Sequence, residues 1–527
     1  MTVETSDVVV IGSGFGGAIP AYYAAAAGAR TVILERGPHL TTADFTHDMQ
    51  LGSLTRIVDA IKGDGMTVIA GNCVGGSSVV YFGASLRAPS FAFERTNGSG
   101  RRLWPTVITR PSLDPYYQRI EDALPVMQQS WDDVSYSGGL FAAACAHTGH
   151  TANLVPVAVD LPRCTNCNWM LSGCRFGAKR SMLLNYLPAA VTEGAQIRPL
   201  HEVQTISPAL TPGYRYRITY TTVDATDYRI VTSTGCIETR LVVMGAGAIG
   251  TPVILRRSAL LLGGVPAAVG RHLSGNGDRV SVAIVDEDTA GSVLGLQRDS
   301  TSTYEAHHIG KAINTMTYDY LDPDRPEHQR FSIQQLSFPA ITNVLAAVPG
   351  WYGVDKKQIR ARWRSWLTIL AMTEDAGEGQ FGTPPLLGSF SRVGHGLGLG
   401  SFSYHAGPAT RAGWASSDAA VKTIAETGGI AKVQPWTAAF AGAVSAHPLG
   451  SCRLGDDPGT SAVTADHLLR GHPDLYVTDG SAVPAALTVN PSLTIAALAE
   501  RASTRIVERL AALGVASRRA VPVPSAR

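Results

Sequence analysis

The sequence is poor in charge and has no long apolar run. Asp, Glu, Lys and Arg make up 16% of the 527 residues, and the formal net charge is +2. No basic stripe with interleaved aromatic residues occurs, which argues against a nucleic-acid partner. No uncharged apolar run of about eighteen residues is present, so we expect no integral membrane segment. The N-terminus shows no charged region followed by an apolar one, so no signal peptide is predicted.

Cysteine is scarce as well. Seven cysteines, an odd number, without a secretory signal predict a reducing and therefore cytoplasmic location. Cys164, Cys167 and Cys174 form a C-x2-C-x6-C cluster. Three interpretations of the cluster are open: reduced structural thiols, a disulfide, or a metal site. A structural zinc or iron–sulfur site uses four ligands, and only Cys145 or His150 stands near enough in the sequence to complete one. We favour reduced thiols and predict no metal.

A dinucleotide-binding fingerprint opens the chain. A β-branched run at residues 7–11 predicts a buried parallel strand, and it leads through three glycines into a helical run at residues 18–28. Gly12 permits a tight turn, Gly14 lets the backbone approach a pyrophosphate, and Gly17 allows close packing of helix on strand. The N-terminus of such a helix carries a partial positive charge that favours phosphate.

A second strand, at residues 31–35, ends in an acid. Glu35 stands some twenty residues past the glycines, where its carboxylate can accept a hydrogen bond from a ribose hydroxyl. These features predict a dinucleotide site but do not separate FAD from NAD. Two more glycine-rich stretches follow, at residues 71–83 and 240–250. The latter is either a second dinucleotide motif or a set of turn and packing glycines, which we favour because one cofactor suffices.

The C-terminal region contains a His and an Asn in distinctive surroundings. His447 lies in the run Ser-Ala-His-Pro-Leu-Gly, and Asn490 lies in Val-Asn-Pro. Between them, residues 474–481 predict a strand that ends at Asp479 and Gly480. Alone, His447 would have the ordinary interpretation of a packed structural histidine. A dinucleotide site, a His and an Asn together are the parts needed to take a proton and a hydride from an alcohol.

Taken in order along the chain, these motifs resemble those of the glucose–methanol–choline (GMC) family of FAD-dependent oxidoreductases, and within it the cholesterol oxidase-like branch. The resemblance implies FAD as the cofactor, with residues 71–83 running along the flavin and pyrophosphate. Some members of the family link the flavin to a His in this loop. No His stands there in this sequence, so we expect the flavin to be bound non-covalently. The cofactor-binding residues implied are Gly12, Gly14, Phe15, Gly16, Gly17, Glu35, Arg36, Gly71, Val74, Gly75, Gly76, Ser78, Val203, Gly245, Asp479, Gly480, Asn490 and Pro491.

The resemblance also implies catalytic roles for His447 and Asn490. His447 occupies the position of the family's active-site His and would be the general base, since a neutral imidazole accepts protons near working pH. Asn490 matches the second active-site position and would donate to the substrate oxygen or the reduced flavin. The implied reaction converts a secondary alcohol, sterol-like or otherwise lipophilic, to a ketone, with oxygen or another electron acceptor. A non-redox lyase and a non-catalytic flavin-binding protein are the alternatives.

Two features depart from the steroid oxidases. Tyr81 stands where those enzymes carry an Asn near the flavin. Enzymes that also shift the steroid double bond use a Glu near the position of Trp363, whereas residues 361–371 contain no acid here. The nearest carboxylates are Glu374 and Asp375. We therefore expect oxidation without double-bond isomerisation.

The predicted fold class is α/β, α+β overall, with a Rossmann-like FAD-binding domain interleaved with a mixed-sheet substrate domain. A chain of 527 residues is too long for one core. The FAD-binding segments are predicted at residues 1–95, 190–285 and 444–512, the substrate segments at residues 96–189 and 286–443, and a flexible tail at residues 513–527.

The second substrate segment contains an aromatic-rich run. Residues 362–373 predict a long strand that enters a core. The aromatic residues of this region either line a lipophilic pocket or fill the core of the substrate domain, and both interpretations stay open. They are Trp351, Tyr352, Trp363 and Trp366.

Overall fold

Two sheets of different type organise the chain, which is seen in a computed structural model. The structure describes residues 3–48, 56–285, 311–337, 366–382, 402–435, 443–515 and 521–524. The α-helices of these residues are α1 (Phe15–Ala26), α2 (Ser90–Glu94), α3 (Arg110–Ala123), α4 (Tyr136–His147), α5 (Tyr186–Thr192), α6 (Gly247–Ser258), α7 (Pro408–Lys422) and α8 (Ser492–Ala512).

The strands are short except in the two main sheets. They are β1 (Glu4–Ile11), β2 (Thr31–Leu34), β3 (Val58–Lys62), β4 (Met66–Gly71), β5 (Met127–Gln128), β6 (Asn153–Leu154), β7 (Pro156–Val157), β8 (Gln196–Arg198), β9 (His201–Pro208), β10 (Tyr216–Val223), β11 (Val231–Met244), β12 (Arg271–Leu273), β13 (Asp278–Val285), β14 (Thr315–Thr317), β15 (Phe331–Leu336), β16 (Trp366–Thr373), β17 (Gly379–Phe381), β18 (Phe402–Ser403), β19 (Ala431–Pro435), β20 (Ala443–Ser445) and β21 (Leu475–Val477).

The first sheet has a parallel centre, as the fingerprint predicts. Its strand order is β8-β2-β1-β11-β10-β9, with β21 pairing with the end of β11. β1 runs parallel to β2 on one side and to β11 on the other. The side chains of Val8, Val9 and Val10 are fully buried because helices and loops cover both faces. Burial of each such side chain stabilises the fold by about 1.5–3 kcal/mol.

The carboxyl ends of these parallel strands meet at one edge of the sheet. The turns after β1, β2, β11 and β21 begin with Gly12, Glu35, Gly245 and Thr478, so segments distant in sequence lie together there. Helix α1 starts at Phe15, three residues before the predicted helical run, and packs against α5 and α8. Ligands of open α/β sheets bind at this kind of edge.

The second sheet is antiparallel and has six strands in the order β19-β13-β16-β15-β14-β6. Of the strand predicted at residues 362–373, the structure shows β16, while residues 362–365 lie outside the described residues. Leu370 and Met372 on one face of β16 belong to the largest core cluster, which also includes the first sheet. Leu367 and Ile369 on the opposite face pack with α4 and α7. The sheet is therefore covered on both sides.

The mixed α/β class is confirmed, and the two sheets draw on interleaved parts of the chain. The division into domains at the stated boundaries stays a prediction. One strand bears on it: β13, which falls within the segment 190–285, pairs with β16 and β19 from the segment 286–443. Trp351, Tyr352 and Trp363 lie outside the described residues, and Trp366 is partly buried at the start of β16.

The cysteine loop is tied to the second glycine-rich loop by a buried lysine. The ammonium of Lys179 donates hydrogen bonds to the carbonyl oxygens of Val79 (2.5 Å), Tyr81 (2.9 Å) and Met170 (2.5 Å).

All seven cysteines are free thiols. Across the described ranges, no cluster of three or more His, Cys, Asp or Glu side chains is arranged to hold a metal. None of the helices in these ranges has the length and apolarity needed to span a bilayer.

Candidate active site

The first glycine-rich turn is packed so closely that Gly12, Gly16 and Gly17 have no room for a side chain. A Cβ at Gly12, whose φ is +92°, would lie 2.4 Å from the oxygen of Gly245. A Cβ at Gly17 would lie 1.9 Å from the oxygen of Gly12, and one at Gly16 would lie 2.6 Å from Asp479 Cα. These distances are far below van der Waals contact. The three glycines therefore bring β1, β11 and β21 together around the turn.

Gly14 differs from its neighbours because the space beside it is open. A Cβ built at Gly14 meets no atom within 4 Å. Gly14 is the N-cap residue of α1, where backbone N–H groups and the helix dipole favour an anion. A side chain here would fill a cradle that the fold leaves empty. The cradle fits the pyrophosphate of a dinucleotide, which is the group that the sequence predicts.

The second glycine-rich loop contacts the first one directly. Gly75 and Gly76 have φ values of +95° and +54°, and a Cβ at Gly76 would lie 2.9 Å from Gly14 Cα. The N–H of Gly75 donates to the Ser13 hydroxyl oxygen at 2.9 Å. Gly71 closes the loop, because a Cβ there would lie 2.6 Å from the oxygen of Gly76. The two loops thus form one wall of the cradle.

Glu35 lies at the end of β2, beside the glycine turn. Its Oε2 accepts hydrogen bonds from the Ser13 amide (3.0 Å) and hydroxyl (2.6 Å), and its Oε1 accepts one from the Gly37 amide (2.9 Å). A carboxylate offers about four acceptor sites, so one stays open for a ribose hydroxyl. The adjacent Arg36 donates from Nε to the Asn72 side chain at 3.2 Å and so ties β2 to the second loop.

The backbone of Asp479 lies against the glycine turn, and its carboxylate accepts hydrogen bonds from other protein groups. Oδ2 accepts from the Gly247 amide (2.8 Å) and the Thr251 hydroxyl (2.5 Å), and Oδ1 accepts from the Ser481 amide (2.9 Å) and hydroxyl (2.5 Å). Burial raises the pKa of this carboxyl, and the bonds from Ser481 and Thr251 oppose the rise. The side chain therefore caps α6, a role that its position in the sequence does not reveal.

The other predicted cofactor residues have structural roles in the described part of the chain. Val74 donates its N–H to the oxygen of Pro38, and Ser78 donates its hydroxyl to the oxygen of Gly75 at 2.6 Å. Val203 is buried in β9, Gly480 follows Asp479, and Pro491 is the N-cap of α8. Their contact with the cofactor stays a prediction.

Phe15 and Tyr81 meet at the junction of the two glycine-rich loops. Their rings are in edge contact, with centroids 5.5 Å apart. The Tyr81 hydroxyl donates to the oxygen of Arg180 at 2.6 Å, and burial raises its pKa. The Tyr81 side chain is therefore neutral and anchored to the backbone of Arg180.

The imidazole of His447 is held between a carboxylate and an amide. Its Nδ1 lies 2.8 Å from Asp278 Oδ1, and its Nε2 lies 3.3 Å from the Asn490 amide nitrogen. A carboxylate can only accept, so Nδ1 carries the hydrogen and Nε2 keeps its lone pair. The neighbouring groups thereby assign the tautomer. His447 and Asn490, 43 residues apart in sequence, are brought together as expected.

Asp278 is the contact of His447 that sequence reasoning missed. Its side chain is 3% exposed, and its Oδ2 accepts from the Ser445 hydroxyl (3.0 Å) and the Ala446 amide (3.2 Å). Strand β20, paired with β4, brings Ser445 to this place. The signal available in the sequence was an acid at the start of a strand, directly after Gly275-Asn-Gly.

Asn490 presents an oxygen for which no described group provides a donor. Its Oδ1 is buried and unpaired within the described part of the chain, while Nδ2 faces His447. Buried polar atoms in proteins are nearly always hydrogen-bonded. An unpaired oxygen beside the lone pair of Nε2 fits a ligand hydroxyl that binds between Asn490 and His447.

A cavity of about 450 Å³ is lined in part by Asp278. Val280, Tyr404 and Trp414 contribute to its lining, and its volume suits a small molecule. His447 is not among the described residues that line it. The cavity therefore borders the start of β13, at the residue that contacts His447.

The carboxylates after β16 are all engaged in structural contacts. Glu374 is buried, which raises its pKa, and it forms ion pairs with Arg95 (3.0 Å) and Arg330 (3.5 Å). Asp375 accepts from the Tyr404 hydroxyl at 2.8 Å. Glu378 accepts from the Gly407 amide and the Thr410 hydroxyl, each at 2.8 Å.

The parallel-sheet edge with its empty glycine cradle defines a dinucleotide-binding fold. Two models of the family described as GMC oxidoreductase match the chain, one over residues 7–275 and one over residues 404–499. These matches span more than half of the sequence. The chain belongs to the GMC oxidoreductase family, and it is an FAD-dependent oxidoreductase.

Similar proteins include two oxidases. A cholesterol oxidase of Mycobacterium tuberculosis is 25% identical over 559 residues, which cover 94% of this chain and 90% of that protein. A long-chain-alcohol oxidase of Arabidopsis thaliana is 24% identical over 541 residues, covering 95% of this chain and 66% of that protein. Among solved structures, an FAD-dependent oxidoreductase of Chaetomium thermophilum superposes with a TM-score of 0.65 at 14% identity, covering 96% of this chain and 99% of that one.

The contrast between Gly14 and Gly17 yields a test of the cradle. We expect Gly14→Val to fold with a normal Tm in the absence of flavin, because its Cβ meets nothing, but to bind FAD at least about tenfold more weakly. Gly17→Ala should instead lower the Tm, because its Cβ collides with the backbone of Gly12. Thermal unfolding and flavin titration measure the two effects. Tight FAD binding by Gly14→Val would contradict the assignment of the cradle.

Proposed function

We propose that this protein oxidises a secondary alcohol, sterol-like or otherwise lipophilic, to a ketone. The observation that carries the proposal is the placement of His447, with Asp278 on Nδ1 and Asn490 beside Nε2. The similarity to a cholesterol oxidase and a long-chain-alcohol oxidase supports an alcohol as substrate class. Molecular oxygen or another acceptor would take the electrons from the reduced enzyme.

His447 acts as the general base in this proposal. The lone pair on Nε2 accepts the hydroxyl proton, and the bound FAD supplies the hydride acceptor for the carbinol carbon. Proton uptake makes the ring cationic. The carboxylate of Asp278, 2.8 Å from Nδ1, stabilises that cation in a site where its side chain is only 3% exposed.

Asn490 changes partner as the proton moves. Before reaction its amide donates to Nε2, at 3.3 Å. The one lone pair of Nε2 cannot accept from the amide and take the hydroxyl proton at the same time, so the amide leaves Nε2 as the hydroxyl donates to it. The amide hydrogens are then available to the substrate oxygen while negative charge develops on it. This exchange would favour the transition state over the bound alcohol.

The positions of the acids support oxidation without isomerisation. Moving a proton from C4 to C6 of a steroid needs a base that reaches one face of the ring. Glu374 is paired with two arginines, and Glu378 accepts two hydrogen bonds. Asp375 accepts from Tyr404. Each carboxylate would have to give up these partners to serve as the base.

Removal of the base and removal of its carboxylate test the mechanism together. His447→Ala should keep its flavin but reduce it about a hundredfold more slowly or worse, the size of a lost general base. Asp278→Asn should be similarly slow, because an amide can donate to Nδ1 and so place the ring proton on Nε2. The matched control is Asp418→Asn. Asp418 forms an ion pair with Arg279, the residue next to Asp278, and this variant should react at the wild-type rate. Rapid reduction by Asp278→Asn would refute its role.

The product formed from a Δ5-3β-hydroxysteroid tests the absence of isomerisation. If such a steroid reduces the flavin, we expect the unconjugated 5-en-3-one to accumulate, because Glu374, Asp375 and Glu378 all have protein partners. The ultraviolet absorbance of a conjugated enone, followed alongside flavin bleaching, measures this. An enone that grew in step with flavin reduction would redirect attention to Glu374 or Glu378.

A further inference from the structure

The loop between β12 and β13, residues 274–277, together with Asp278 at the start of β13, contacts His447 and the segment before Asn490. The loop leads into Asp278, which holds His447. At its centre is Asn276, which is fully buried and has a φ of +58°. The Asn276 side chain donates from Nδ2 to the oxygen of Val489 (2.9 Å) and accepts at Oδ1 from the Leu487 amide (2.7 Å). Asn276 is thus hydrogen-bonded to the backbone of Leu487 and Val489, directly before Asn490.

The residue between those two contacts is in a strained conformation. Thr488 has a φ of +59°, which a β-branched side chain rarely adopts. Such strain persists only where the surroundings enforce it, and it is concentrated at functional sites. Asn276 holds the backbone on both sides of Thr488, and the Ser332 hydroxyl donates to the oxygen of Thr488 at 2.5 Å. The strained residue is therefore clamped.

We propose that Asn276 is a positioning residue that acts through Asn490. By holding Thr488 in the left-handed region, it directs the Asn490 amide toward His447 Nε2, 3.3 Å away, and toward the reacting oxygen. The same loop orients His447 through Asp278, so one segment sets both groups relative to each other. This inference rests on the proposed function, because its kinetic effect requires alcohol oxidation.

Other contacts keep the loop in place without the Asn276 side chain. The Asp375 carboxylate accepts from the Gly275 amide at 2.8 Å, and Ser274 forms a reciprocal pair of backbone hydrogen bonds with Leu449, each 2.9 Å. Loss of the Asn276 side chain should therefore free the chain at Thr488 while leaving Asp278 and His447 where they are. A local change at Thr488, with Asp278 and His447 unmoved, distinguishes a positioning role of Asn276 from a general structural role.

Asn276→Gly is the variant of choice, because glycine adopts a positive φ without steric cost and the substitution removes the side-chain contacts. We expect the rate of flavin reduction at saturating substrate to fall about tenfold. The flavin content and the substrate concentration that gives half of the maximal rate should change little. In an Asn490→Ala background the same substitution should add less than about a twofold loss, since its effect passes through Asn490. Asn185→Ala, which loses a buried amide contact to Ala123, is the control and should react at the wild-type rate.

Two kinetic results would overturn the proposal. One is a wild-type rate for Asn276→Gly. The other is an equal loss with and without Asn490, which would indicate a structural role. Hydrogen exchange at the Leu487 amide tests the clamp without any substrate and should be faster in Asn276→Gly, whereas unchanged exchange would contradict the clamp. If no alcohol reduces the wild-type flavin, the proposed function fails, and the exchange measurement then decides the inference alone.

Discussion

The hydrogen bond between Asp278 and His447 is the interaction on which the proposed chemistry depends. A buried carboxylate 2.8 Å from Nδ1 fixes both the tautomer and the direction of the imidazole. The fold supplies the two partners from different places: Asp278 begins a strand of the antiparallel sheet, and β20 delivers His447 beside β4. The loop that leads into Asp278 also clamps the segment before Asn490. Base and amide are therefore positioned by one short stretch of chain.

The nucleotide-binding half could be predicted from the sequence because its constraints are local. The β-branched run of β1, the spacing of Gly12, Gly14 and Gly17, and the acid Glu35 each follow from backbone geometry and short-range packing. The structure also distinguishes glycines that the motif treats alike. Gly17 is required by contact with Gly12, whereas Gly14 borders open space. The aromatic-rich run at residues 362–373 likewise predicted a strand, of which the structure shows β16.

The rest of the site depends on contacts between residues far apart in sequence. Asp278 lies 169 positions from His447, and Asn276 lies 213 from Val489, so no local pattern connects them. Asp479 was predicted from its motif as a cofactor-binding residue, but the motif does not reveal that its carboxylate accepts four hydrogen bonds from Gly247, Thr251 and Ser481. Register and long-range packing decide these contacts, and neither can be read from residue spacing.

Anaerobic mixing of the flavin-loaded protein with lipophilic secondary alcohols tests the central claim most directly. The account predicts that the absorbance of the oxidised flavin bleaches, that the ketone forms in equal amount, and that deuterium on the carbinol carbon slows the bleaching. A flavin that stayed oxidised while substrate was consumed would contradict the account and indicate a non-redox lyase. A flavin that no alcohol reduced would contradict alcohols as the substrate class.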